Sequence, residues 1–366
     1  MSSNDVGQLL LVGVPGTELS AEDRNFFKAL QPGGFILFGR NIKSPIQLRR
    51  LIDDLRGLSA VEPIVTIDQE GGRVSRLRML GSEPPNAQQL RDRGEPALIT
   101  RHGELTAQVL RIFGFNLDLC PVLDISFDDQ ADNSLKGRCY GRSVAEVIAN
   151  ASLFNNALRS GGILSCGKHF PGYTCAGLDP HHELPVIERS REEMEAHELA
   201  VFRHFADQVD SMMMGHISFT GLEKDGPPAS LSPAMINGLL REELGFDGLV
   251  MTDDLDMGAI LNHYEFDETI RLGLAAGNDL LMICHRVESA AQARKVLEAL
   301  PESAVAPAMG RMEKFKRRLE PPTDFSEEKF RAVDDEIQKL RIATLGAEAA
   351  AEQSPEDGKR SPVELY

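Results

Sequence analysis

Polar residues gather where the apolar runs of this chain stop. The run 63–68 (PIVTID) ends in Asp68 and continues Gln69-Glu70-Gly71-Gly72-Arg73-Val74-Ser75-Arg76. The run 115–121 (FNLDLCP) is followed by Asp124, and 162–168 (GILSCGK) ends in Lys168-His169. The run 211–216 (SMMMGH) ends in His216, and 248–253 (GLVMTD) ends in Asp253-Asp254. A rim of Asp, Arg, Lys and His suits a ligand with many hydroxyls, because carboxylates and guanidinium groups make paired contacts to neighbouring ones. A carboxylate on the same rim is in position to react. Sugar chemistry needs both features.

The elements that would position these residues follow a repeating pattern. Three further apolar runs, 8–14 (QLLLVGV), 33–38 (GGFILF) and 279–284 (DLLMIC), bring the number to eight. Helix-like stretches lie between them, at 45–58, 97–113, 144–160 and 191–206. Strands alternating with helices imply a parallel sheet, and eight units imply a closed barrel. The unbroken apolar character of several runs fits strands buried on both faces. A barrel of this kind carries its active site at the C-terminal ends of its strands. The predicted fold is therefore α/β, a (β/α)8 TIM barrel in a single domain over 1–322. Helical patterns at 287–300 and 308–319 close it. A C-terminal helical extension is predicted over 323–346, with Ser326 as N-cap of a helix at 327–343. The polar, Ala- and Glu-rich segment 347–366 reads as a disordered tail.

Bulk composition excludes some partners. The chain has 366 residues, 56 acidic against 39 Lys and Arg, and a formal charge of −17. That balance disfavours nucleic acid and anionic membrane surfaces. No apolar run is long enough to span a bilayer. The first residues carry neither a basic n-region nor an apolar h-region, so a cytoplasmic location is expected. The five cysteines (Cys120, Cys139, Cys166, Cys175, Cys284) are odd in number and irregularly spaced, which fits reduced thiols. Cys166, Cys175, His181 and His182 match no compact zinc pattern, and no metal or organic cofactor is implied. The oligomeric state is not legible.

Five segments in this order resemble glycoside hydrolase family 3, in particular its single-domain β-N-acetylglucosaminidase branch. They are Asp-Gln-Glu-Gly-Gly-Arg-Val-Ser-Arg at 68–76, Lys-His-Phe-Pro-Gly at 168–172, Asp-Pro-His at 179–181, Pro-Ala-Ser-Leu-Ser at 228–232 and Thr-Asp-Asp-Leu-Asp-Met at 252–257. The resemblance spans about residues 8 to 300. It implies that Asp253 is a nucleophile that forms a glycosyl-enzyme. It implies that Asp68, Arg76, Arg138, Lys168 and His169 bind the sugar, with His216 on the same rim, and that His181, oriented by Asp179, is the general acid/base. Histidine titrates near the pH at which such proton transfer is needed, and an adjacent carboxylate would fix its tautomer. The implied activity is a retaining exo-β-N-acetylglucosaminidase acting on small glycans or cell-wall turnover fragments.

The chain departs from the family pattern in the loop after Lys168. Tyr173-Thr174 stands where the family commonly has His-Gly, Pro180 stands for Ser, and Cys139 follows Arg138 where Ser or Thr is usual. The spacing from Lys168 to Asp179 and His181 is kept. His182 directly follows His181, and the Asp-x-His spacing favours His181. Other readings stay open at this level: another family 3 β-glycosidase such as a β-glucosidase, a phosphorylase, or a non-catalytic sugar-binding barrel. Asp253 could cap a helix, a task Asp254 could equally take. Asp68 could serve only as a salt-bridge partner of Arg73 or Arg76.

Overall fold

In the computed structural model, residues 5–131, 133–173 and 183–354 are described. The eight apolar runs form the eight parallel strands of a closed barrel, arranged around it in chain order. They are β1 (Leu10–Gly13), β2 (Gly34–Leu37), β3 (Ile64–Ile67), β4 (Leu117–Asp118), β5 (Leu164–Phe170), β6 (Ser211–Met214), β7 (Leu249–Asp254) and β8 (Leu280–Ile283). Closure is made by β8 on β1, with Leu10, Leu11 and Val12 in register with Leu281, Met282 and Ile283. Most residues of these strands are fully buried, because the barrel fills one face and helices cover the other.

Each strand is followed by a helix that packs outside the barrel. These are α1 (Ala21–Leu30), α2 (Pro45–Leu58), α3 (Pro96–Phe113), α4 (Val144–Ser160), α5 (Glu198–Phe205), α6 (Ala234–Glu243), α7 (Phe266–Ala276) and α8 (Ser289–Glu298). Local chemistry sets several starts. Ser20 and Ser44 accept from the third helical N–H of α1 and α2, each in a capping box, and Ser143 caps α4. The helix expected over 191–206 is broken at His197, whose backbone (φ −129°, ψ −93°) is not helical, giving Arg191–Ala196 and then α5. Strand β4 is the shortest, yet the extended run continues beyond it. Leu119 N–H donates to Ile67, and the Cys120 and Pro121 carbonyls accept from Cys166 and Lys168.

Two more helices, α9 (Glu302–Lys316) and α10 (Glu327–Leu345), complete the described chain. Ser326 caps α10 as expected. The expected tail boundary at 347 is corrected: residues 347–354 fold back on the barrel, with a 3-10 turn at Ala349–Ala351 and Ala350 buried. The cause is a buried ion pair of Arg341 and Glu83, which draws the carbonyls of Ala350 and Glu352 and the Ser354 side chain onto itself. Among the described residues, no helix is long and apolar enough to cross a membrane.

Candidate active site

A cavity of about 440 Å³ opens at the C-terminal mouth of the barrel. Asp68, Arg76, Arg138, Lys168, His169 and Asp253 all line it. Six residues chosen from sequence, separated by up to 185 positions, therefore meet in one place.

The wall from β3 to β5 is a buried charge cluster. Lys168, at the end of β5 with a side chain 2% exposed, places Nζ 2.7 Å from Asp68 Oδ1 and 2.7 Å from Glu70 Oε1. Arg138 makes a fork to Glu70, with Nε and Nη2 each 2.7 Å from one carboxylate oxygen. Arg76 Nη2 lies 3.6 Å from Asp68 Oδ2. Desolvation of these groups is compensated by mutual attraction. Burial pulls the Lys168 ammonium toward the neutral form, but Asp68 and Glu70 outweigh it and its pKa lies above the ordinary lysine value. Burial likewise raises Glu70, and Arg138 and Lys168 reverse this, holding its carboxyl well below the usual range. Lys168, Glu70 and Arg138 are therefore charged at neutral pH. Asp118 differs: burial pushes its carboxyl up to about 7, only partly offset by the Gln69 N–H that it accepts.

The hairpin of Gln69–Gly71 and Val74–Ser75 carries Glu70 and leads to Arg76. Gly71 (φ +108°) and Gly72 (φ +56°) occupy its turn, a backbone that favours glycine. Arg73 and Arg76 leave this turn toward different partners. Arg73 donates to the Ser134 carbonyl, and Arg76 turns to Asp68.

His169 is oriented by Asp124, which is fully buried after β4. Asp124 Oδ2 accepts from the His169 backbone N–H (3.1 Å) and from Nδ1 (2.8 Å), and Oδ1 accepts from the Tyr173 N–H (2.9 Å). With Nδ1 donating, a neutral His169 ring keeps Nε2 as an acceptor. Tyr173, the departure from the family pattern, lines the cavity. Its ring meets His169 edge-on at 4.7 Å, and its hydroxyl shares a hydrogen bond with Ser134.

On the opposite side, β7 ends in Asp253-Asp254, and the alternation of a strand sends the two side chains apart. Asp253 is the one residue of β7 that is partly exposed. Its Oδ1 accepts the Asp254 N–H at 2.8 Å. Asp254 turns to β8 and accepts the N–H groups of Asp256 (3.1 Å) and Cys284 (3.0 Å). Burial, then Asp256, raises its pKa. Asp254 thus takes the backbone-satisfying task, and Asp253 keeps its carboxylate toward the cavity.

His216 is corrected. It is fully buried and is not among the described residues that line the cavity. Its Nε2 donates to the Asp254 carbonyl at 2.9 Å, and its Nδ1 pairs with Ser230 Oγ at 2.7 Å. These two bonds tie the ring to the β7 backbone and to Ser230. Ser230 belongs to the 228–232 motif, which thereby acts from behind the cavity. Asp179 and His181, with His182, lie outside the described residues.

Sequence reading gave no specific role to several residues that support the cavity or line it. Glu70 lay within a quoted motif, but its partner Arg138 is 68 positions away. Asp124 had a signal, its place after the fourth run. Arg40 and His285 had none. Arg40 Nη1 lies 3.0 Å from His285 Nδ1, and His285 Nε2 lies 3.4 Å from Asp254 Oδ2. His285 lines the cavity on the β8 side.

A family model described as the glycosyl hydrolase family 3 N terminal domain matches residues 1–315. A beta-hexosaminidase of Pseudomonas aeruginosa is 32% identical over 322 residues, covering 87% of this chain and 94% of that protein. One from Vibrio cholerae serotype O1 is 36% identical over 308 residues, covering 83% and 90%. Among solved structures, a family 3 beta-N-acetylglucosaminidase from Paenibacillus sp. superposes with a TM-score of 0.84 at 31% identity, over 94% of this chain and 69% of that one. NagZ from Neisseria gonorrhoeae superposes with a TM-score of 0.77 at 26% identity, over 94% and 98%. With its closed barrel, its rim of charged residues and a family match over most of its length, this chain belongs to glycosyl hydrolase family 3.

Proposed function

We propose that this chain is a retaining exo-β-N-acetylglucosaminidase that works through a glycosyl-enzyme on Asp253. The observation that carries the reading is the partly exposed Asp253 carboxylate at the barrel mouth, in one cavity with the Asp68, Lys168, Arg76, Arg138 and His169 set. The names of the relatives, beta-hexosaminidase and beta-N-acetylglucosaminidase, support the substrate class.

In this reading the charged wall holds the hydroxyls of the terminal sugar. Asp253 attacks the anomeric carbon, the glycosidic bond breaks, and the departing oxygen takes a proton from His181. His181, oriented by Asp179, then removes a proton from water, which attacks the ester and releases a sugar of retained configuration. The Asp-x-His spacing supports these last two roles. Small glycans such as cell-wall turnover fragments are the proposed substrates, and the cytoplasm is the proposed setting. The four described cysteines are buried free thiols, which suits a reducing compartment.

A 5-fluoro N-acetylglucosaminyl trap followed by peptide mass mapping tests the central step. The label is expected on the peptide containing Asp253, and Asp253→Ala should lower kcat on an aryl N-acetyl-β-glucosaminide by at least about a thousandfold. An unlabelled Asp253 peptide, or a glucose analogue turned over faster than the N-acetyl one, would overturn the reading. His181→Ala should lower turnover as well. Assay with inorganic phosphate separates hydrolysis from phosphorolysis by the product formed.

A further inference from the structure

The C-terminal segment beyond the family match reaches the hydroxyl-binding wall through one buried carboxylate, Glu83. The family model ends at residue 315, and α10 with the fold-back at 346–354 lies past it. Glu83 has a fully buried side chain. Arg341 Nη1, from α10, donates to Glu83 Oε1 at 2.9 Å and to the Glu83 carbonyl at 3.0 Å. Ser354 gives Glu83 its backbone N–H (3.1 Å to Oε2) and its hydroxyl (2.8 Å to Oε1). Arg341 in turn holds the fold-back, donating to the carbonyls of Ala350 and Glu352. Next to Glu83, the Ser82 N–H donates to Asp334 Oδ1 of α10 at 2.6 Å.

From Glu83 the connection runs to the glycine turn of the 68–76 motif and to Arg78 just past its end. Arg78, two residues past Arg76, lies 3.1 Å from Glu83 Oε2. Pro84, the next residue, accepts the Gly72 N–H at 2.8 Å. Pro85 follows so closely that a Cβ on Gly71 would lie 2.3 Å from its carbonyl oxygen. The hairpin that presents Glu70 and leads from Asp68 to Arg76 therefore rests on segment 82–86, and that segment rests on α10 and the fold-back. A buried ion pair is weak support for stability alone and is better suited to fixing one geometry. Its position here is behind a site whose residues must be held to a fraction of an ångström.

We propose that the end of α10 and the fold-back, residues 341–354, buttress the sugar-binding hairpin, with Glu83, Arg341 and Ser354 as positioning residues that act through Asp68 and Arg76. The inference rests on the reading of that pair as hydroxyl ligands. The test uses four variants: truncation after Gly346, Arg341→Lys, Ser354→Ala and, as a control, Phe330→Ala, which loosens α10 without touching Glu83. Two measurements are made on each, aryl N-acetyl-β-glucosaminide kinetics and hydrogen exchange over residues 69–79. Truncation should raise KM at least about fivefold with kcat within about twofold, and should speed exchange over 69–79 at least about tenfold. Arg341→Lys, which keeps the charge and loses the contacts of Nε and Nη2 to the fold-back, and Ser354→Ala should show smaller changes of the same kind. Phe330→Ala should lower Tm while leaving KM within about twofold. Unchanged KM and exchange in the truncated protein, or the same KM rise in Phe330→Ala, would overturn the buttress. If the wild-type protein turns over no such substrate, the proposed function fails, and exchange over 69–79 alone decides the buttress.

Discussion

Asp253 and Asp254 are adjacent, of the same type, and given opposite tasks by the pleat of one strand. The first keeps an oxygen toward the cavity, and the second gives Oδ1 to the Asp256 and Cys284 N–H groups with Oδ2 facing His285. Asp118 is another buried carboxylate at this end of the barrel, and its raised pKa has a consequence for stability. Its folded value, about 7, exceeds the 3.8 of the free side chain. The folded state therefore binds that proton more tightly. The contribution to stability is full below the unfolded value and is lost as pH rises through about 7. Asp118→Asn removes the titration while keeping an oxygen for the Gln69 N–H. Relative to wild type, its Tm should rise by about 2 °C or more between pH 5 and pH 8.5, as read by thermal unfolding at both pH values. A constant difference would show that Asp118 is ionised alike in both states.

At the scale of elements, the stem of the loop after β5 is tightly set although its centre lies outside the described residues. Gly172 has φ +102°, and a Cβ there would lie 2.7 Å from Glu198 Cγ and 3.0 Å from Glu198 Cβ, on the first residue of α5. Glu198 is paired with Arg189 on the far side of the same loop. Gly172→Ala is strained both by its backbone and by this contact, and should cost about 1–3 kcal/mol in denaturant unfolding. Because the adjacent Tyr173 and His169 share Asp124, kcat/KM should also fall by about tenfold or more. Wild-type kinetics in that variant would show that the stem tolerates movement.

At the scale of the molecule, α10 joins the barrel through apolar packing as well as through Glu83. Phe330 is buried against Phe113 of α3 with ring centroids 5.2 Å apart, and Ile337 and Leu340 are buried on the same helix. We propose that barrel and extension unfold as one unit. Phe330→Ala should then lower stability by about 3 kcal/mol while preserving a single transition in both circular dichroism and fluorescence. Two separated transitions would mark the extension as an independent unit.

The eight strands, their order and most of the charged rim residues were legible in the chain alone. Strands buried on both faces leave continuous apolar runs, and a parallel barrel puts the polar residues that follow them at one end. The start of α10 at Ser326 was readable for a local reason, a serine before a helical run. Which rim residues share the cavity depends on the closed fold. His216 has the rim position and the residue type, but its ring is buried and bonded to the Asp254 carbonyl and Ser230. Glu70 and Asp124 acquired their roles from Arg138 and His169, partners 68 and 45 positions away. The order of residues 347–354 was invisible in their composition, because it comes from Arg341 and Glu83, a pair 258 positions apart that meets only when the barrel closes.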